Sequence, residues 1–158
     1  MKKWLVVLLF LGITLYSAAQ EKSESSGPLS AGIGPEFNMN SRHNFAGGTV
    51  LGIYFNLPKN SAIGLTSTVD FNFFNTEVLE FAVLYRRFFG DGNYSGFFLQ
   101  PEAGIFIIFE DGEVIPLPLF GLRGGYRLPL GSRFYIEPCG RLGYPFAFGI
   151  AFMAGITF

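Results

Sequence analysis

The sequence predicts an all-β chain, an eight-stranded antiparallel up-and-down transmembrane β-barrel. Large apolar residues alternate with small or polar ones from Leu29 to Phe158, and turn signals break the alternation at hairpin intervals. The composition resembles that of a membrane protein, with 49% hydrophobic, 18% aromatic and only 15% charged residues and a mean hydropathy of +0.36. Beyond the N-terminus, however, no apolar run reaches the ~20 residues that a membrane helix needs. The 158 residues bound the chain to one domain. Its hydrophobicity excludes disorder. A formal net charge of −1 gives no sign of a nucleic-acid partner. The single cysteine, Cys139, excludes an internal disulfide framework and a multi-cysteine metal site.

Residues 1–19 read as a signal peptide. Lys2 and Lys3 form a positive start, Trp4 to Tyr16 an apolar stretch, and Ser17-Ala18-Ala19 a small-residue cleavage site. A retained anchor is the alternative, but the stretch is short and its flanks are wrong for one. No cysteine follows the cleavage site, so the lipid-anchored variant fails. Removing Lys2 and Lys3 from 11 basic residues leaves 9 against 12 acids. Residues 20–28 are polar and end in Gly27-Pro28, which reads as a flexible tail.

The barrel occupies residues 29–158. Its first two strands are expected at 29–39 and 46–57, followed by the turn Pro58-Lys59-Asn60. In the third, 62–74, Ile63, Leu65, Val69, Phe71 and Phe73 alternate with Gly64, Thr66, Thr68, Asp70 and Asn72. In the fourth, 77–89, Leu79, Phe81, Val83 and Tyr85 alternate with Glu80, Ala82, Leu84 and Arg86. Gly90-Asp91-Gly92-Asn93 turns the chain into 96–109, and Asp111-Gly112 into 113–128. Pro129 to Ser132 leads into 132–144, where Phe134, Ile136, Pro138 and Leu142 alternate with Tyr135, Glu137, Cys139 and Arg141. The last strand, 147–158, sets Phe148, Ile150, Phe152, Ile156 and Phe158 against Ala147, Gly149, Ala151, Met153 and Thr157. Each strand reaches the ~9–11 residues that cross a bilayer when tilted.

Volume decides which face points outward. An eight-stranded barrel has an interior just wide enough for side chains to fill. Twenty phenylalanines, all but Phe10 beyond the signal peptide, would overfill it. The glycine, alanine, serine and threonine face fits a narrow lumen. No lysine falls within a predicted strand, so the small-residue face would make a strange water-facing surface. The apolar face therefore points to lipid, and closure removes the open edges that hydrocarbon cannot satisfy.

These residues resemble the small eight-stranded outer-membrane β-barrel family, of the outer-membrane protein X and outer-membrane protein A transmembrane-domain types. The resemblance covers Leu29 to Phe158 and implies a bacterial outer-membrane location. Its expected partners are outer-membrane lipid and lipopolysaccharide and the barrel-assembly machinery, for a monomer with no nucleic acid, no cofactor and no metal. In that family the terminal aromatic and the alternating residues before it form the assembly signal. Ile150, Phe152, Ile156 and Phe158 match it, with Ala154 a weak position. Chain end and barrel end coincide, so the peptidoglycan-binding domain of larger relatives is expected to be absent.

Alternation lists the charged residues of the lumen as Glu36, Asp70, Glu80, Arg86, Glu102, Arg123, Arg127, Glu137 and Arg141. A charge there is costly unless paired, and arginine offers a planar fork to a carboxylate. The hairpin centred near Leu130 sets Arg123 opposite Glu137. The expectation is an Arg–carboxylate network that plugs the lumen, in a protein with a structural or interaction role. The alternative is a narrow channel, or a conduit that admits hydrophobic solutes sideways. Prolines 35, 101, 116, 118 and 138, all on the lipid face, each remove a ladder donor and bear on that second reading. The other reading of these prolines is curvature. Outer connections are expected near 40–45, 75–76, 110–112 and 145–146, and their shortness weakens an adhesin reading. The sole histidine, His43, lies beside Ser41 and Arg42 in the first of them. Without an orienting acid it gives little sign of a nucleophilic site. A lipid-modifying enzyme is a remote alternative, and no catalytic residue is assigned. Cys139 reads as a small buried thiol.

Overall fold

The computed structural model describes residues 28–40, 45–72, 77–90, 94–110 and 112–158. The expected signal peptide, nearly all of the tail, and His43 with Ser41 and Arg42 lie outside these residues. The described chain forms eight strands: β1 Leu29–Asn40, β2 Phe45–Leu57, β3 Ser61–Asn72, β4 Glu77–Phe88, β5 Gly96–Glu110, β6 Glu113–Leu130, β7 Phe134–Tyr144 and β8 Phe146–Thr157. Each pairs antiparallel with the next, and β8 returns to β1, closing the barrel. The described residues contain no helix.

Ladder pairs fix the closure. Starting at Glu36, the pairs through β2, β3, β4 and β5 lead to Ile115 on β6. The opposite route, through Ala151 and Cys139, leads to Gly125 on the same strand. The two ends differ by ten residues, 125 against 115. With about 3.3 Å per residue and about 4.8 Å between strands, that stagger tilts the strands by about 40° from the barrel axis.

The alternation sorts the faces as the volume argument requires. Phe37, Leu65, Phe81, Leu122 and Phe152 are exposed on the outside. Glu36, Thr66, Glu80, Arg123 and Ala151, of opposite parity, are buried inside. Beta8 departs at its start: Phe146 points inward and Ala147 outward. The reason is a bulge, where Met39 pairs with Phe148 but Asn40 with Phe146.

The β6–β7 hairpin corrects one expectation. Pro129 reads as a turn signal but pairs with Tyr135 inside the ladder, and Leu130 pairs with Phe134. The turn begins at Gly131, whose φ of 79° suits a residue without a side chain. The hairpin therefore centres on Ser132, and Arg123 faces Arg141, not Glu137.

The wall prolines all lie outward and exposed. Ladder pairing skips residues beside Pro35 on the β1–β8 seam, Pro101 on β4–β5 and Pro138 on β6–β7. Pro116 and Pro118 sit elsewhere. Their strand pairs with β5 up to the tip, but its first pair with β7 is Phe120 with Tyr144. Above that point β6 has a bare edge. Two residues without an N–H blunt it against pairing with another strand.

Candidate functional site: the charged lumen

All nine charged residues that alternation assigns to the lumen are buried, none more than 5% exposed. They form two layers, linked through Gln100.

The layer nearer the chain termini holds Arg86, Arg127 and Glu137. Arg86 Nη1 donates to both Glu137 oxygens at 3.0 and 2.9 Å. Arg127 Nε donates to the same carboxylate from the neighbouring strand. Arg86 also donates through Nε and Nη2 to Gln100 Oε1 at 2.8 and 2.6 Å. Its guanidinium lies 4.1 Å from the Tyr54 ring centre and 4.0 Å from that of Phe98. Arg127 lies 3.8 Å from the Tyr135 ring. Aromatic faces thus shield the two cations where no further carboxylate is available.

The second layer holds Glu36, Asp70, Glu80, Glu102, Arg123 and Arg141. Arg123 Nη1 donates to Glu36 Oε2 at 2.9 Å, and its Nε lies 3.5 Å from Glu102 Oε2. Arg141 Nη1 donates to Glu80 Oε2 at 2.8 Å and to Glu36 Oε1, while its Nη2 lies 3.0 Å from Glu102 Oε1. The Arg141 guanidinium also lies 3.6 Å from the Phe146 ring. Asn38 Nδ2 donates to Asp70 Oδ2 at 2.7 Å and to Glu36 Oε1 at 3.1 Å. Among the described residues no ion pair reaches Asp70, and Asn38 holds it instead. Gln100 Nε2 donates to Glu102 Oε2 at 3.0 Å and so joins the layers.

The expected Arg123–Glu137 pair is absent among these contacts. Those residues belong to different layers because the hairpin register is shifted by four residues. Sequence reading also missed Asn38, Gln100, Tyr54, Tyr135, Phe98 and Phe146. Asn38 and Gln100 share the inward parity of Glu36 and Glu102, a signal that a list restricted to charges discards. Cys139 is a buried free thiol, 3.7 Å from Arg123 Nη1.

Apolar residues lie beyond both layers. Ala82, Leu119 and Phe146 cluster on the side away from the termini, with Phe106 against them. At the terminal end Tyr94 packs edge-on against Phe88 with ring centres 6.1 Å apart. Its hydroxyl donates to the Leu57 carbonyl at 3.0 Å. Among the described residues no cluster of His, Cys, Asp and Glu has metal-holding geometry.

A closed antiparallel barrel of eight strands, each paired with the next, is the fold of the small eight-stranded outer-membrane β-barrels, and this chain has it. Two solved members show it. Neisserial surface protein A aligns with a TM-score of 0.64 at 9% identity, over 82% of this chain and 96% of that one. The N-terminal β-barrel domain of Pseudomonas aeruginosa OprF aligns with a TM-score of 0.57 at 12% identity, over 85% of this chain and 100% of that one. No protein-family model matches the sequence, and no protein of curated function matches it either.

Proposed function

We propose that the chain is an integral protein of the bacterial outer membrane with a structural or interaction role, its lumen plugged by the Arg–carboxylate network. One observation carries this reading: the nine charges are buried and nearly all ion-paired inside a wall whose outer surface is a continuous apolar band. In water such a band drives association. In a bilayer it is solvated, and the closed ladder pairs each strand on both sides below the tip of β6. An ion crossing the lumen would have to break bridges in two successive layers. The protein has no chemistry of its own in this reading. Its partners are outer-membrane lipid, lipopolysaccharide and the assembly machinery, and it works as a monomer.

The test joins fractionation with planar-bilayer recording. The mature protein is expected in the outer-membrane fraction, with no resolved conductance for the wild type and leak currents for Arg141→Ala. A soluble periplasmic protein would overturn the location, and steady wild-type channels would overturn the plug. The seam gaps beside Pro35, Pro101 and Pro138 favour a second reading, sideways entry of hydrophobic solutes. It predicts solute uptake into vesicles by a barrel that carries no current.

A further inference from the structure

The outer wall near the chain termini is not evenly filled. A groove of about 550 Å³ runs over β1 and β8 between β2 and β7. Its floor is set by two short outward residues, Ala31 and Ala154, which lie diagonally across the β1–β8 seam. Ile53 on β2 and Phe134 and Ile136 on β7 form its sides. The volume lies within the ~300–1,000 Å³ range of ligand pockets.

Charge identifies the occupant. Among the described residues, the exposed acids Glu77, Glu110 and Glu113 all stand at the barrel end away from the termini. The exposed bases Lys59, Arg87 and Arg133 all stand at the terminal end. Arg133 belongs to the β6–β7 turn, and the residues on either side of that turn, Leu130 and Phe134, both line the groove. The Arg133 carbonyl accepts the Thr157 N–H at 2.8 Å, which ties the turn to β8 beside the groove. An apolar trough with an exposed arginine in the turn beside it suits an amphiphile with one hydrocarbon chain in the trough and an anionic head at the arginine. A second copy fits worse, because a two-fold contact at this groove would bring the two Arg133 side chains together.

The geometry points to a phospholipid site: the groove takes an acyl chain, and Arg133 takes the phosphate of an anionic headgroup. This rests on the membrane reading above. The test folds the protein into vesicles containing equal phosphatidylglycerol and phosphatidylcholine. It is then extracted in mild detergent, and retained lipid is counted by native mass spectrometry. One retained lipid per barrel is expected, with roughly a tenfold preference for phosphatidylglycerol, whose phosphate charge is not offset by a quaternary ammonium as it is in phosphatidylcholine. Arg133→Gln, a change in an exposed turn, should erase the preference but keep a lipid bound. Ala31→Leu with Ala154→Leu should fill the trough and lose both. A barrel that inserts but retains no lipid, or whose preference survives Arg133→Gln, overturns the site. A protein that fails to insert at all overturns the membrane reading and the site with it. Heat-modifiable gel migration of each variant tells these failures apart.

Discussion

Arg86 on β4 and Glu137 on β7 meet across the lumen, with Nη1 at 3.0 and 2.9 Å from the two carboxylate oxygens. Two strands separate them in the wall. The same pair of strands is joined again in the other layer with the charges exchanged, Glu80 on β4 accepting from Arg141 on β7 at 2.8 Å. Each bridge ties together wall segments that share no ladder. The interior therefore acts as cross-bracing, which uniform small residues could not supply.

The terminal layer should be the more fragile to loss of its acid. Among the described residues, Glu137 is the sole carboxylate ion-paired with Arg86 and Arg127. Glu137→Gln strands both cations, and breaking such a buried pair costs about 3–5 kcal/mol. Arg86→Met with Glu137→Met removes both charges of one bridge and should cost less than the sum of the single changes. Urea unfolding in lipid vesicles, followed by gel migration, measures this. Simple additivity would show that the bridge carries no coupling.

Layer membership predicts which pairs couple. Arg123 bonds Glu36, whereas it has no contact with Glu137. Arg123→Met and Glu36→Met together should deviate from additivity by about 0.5–3 kcal/mol. Arg123→Met with Glu137→Met, linked only through Arg86, Gln100 and Glu102, should deviate by less than that. The opposite ranking would restore the register expected from a hairpin centred on Leu130.

The two faces of β8 should respond oppositely to substitution. Phe152 is 51% exposed on the outer wall, and Ala151 is buried beside Glu36. Phe152→Arg should lower insertion yield, since a cation at mid-bilayer costs about 2–4 kcal/mol on the lipid face of such barrels. Ala151→Ser should insert normally. Insertion into vesicles, scored by protease protection, compares them. Ranking in the reverse order would mean that β8 faces the other way.

Strands and faces were legible in the sequence because a period of two is a local property. Tyr85 and Arg86 sort themselves whatever their partners are. The choice of partner was less legible, since register depends on where each turn begins. Pro129 looks like a turn residue, yet it lies at the end of a strand, where a proline is tolerated. That one displacement moved Arg123 from Glu137 to Arg141. Bridges such as Arg86–Glu137 were beyond sequence reading altogether. They depend on the closing stagger, which sums the register of all eight seams. The aromatic shielding of Arg86 by Tyr54 and Phe98 was hidden for a related reason, because volume arguments assign bulky residues to lipid and these two point inward.

Two glycines on adjacent strands separate packing in the lumen from a general intolerance of side chains. Gly149 faces inward. A methyl group there would press on Asn38 Oδ1 and come within 2.9 Å of Arg141 Cγ and 3.2 Å of Arg141 Cδ. Arg141 is the hub of its layer, paired with Glu36, Glu80 and Glu102. Its stem cannot withdraw without disturbing at least one of those contacts or its stacking on Phe146. Gly149→Ala should therefore destabilise the barrel by about 1–3 kcal/mol, the range for overpacking a filled interior. Gly140 on β7 faces outward, and a methyl there would find its nearest neighbour, the Gly149 carbonyl oxygen, at 3.7 Å. Gly140→Ala should stay within about 0.5 kcal/mol of the wild type. Urea midpoints of the two variants in the same vesicles give the comparison. Equal losses would mean that the Arg141 hub is loose enough to absorb a methyl group, and that the second layer does not brace the wall.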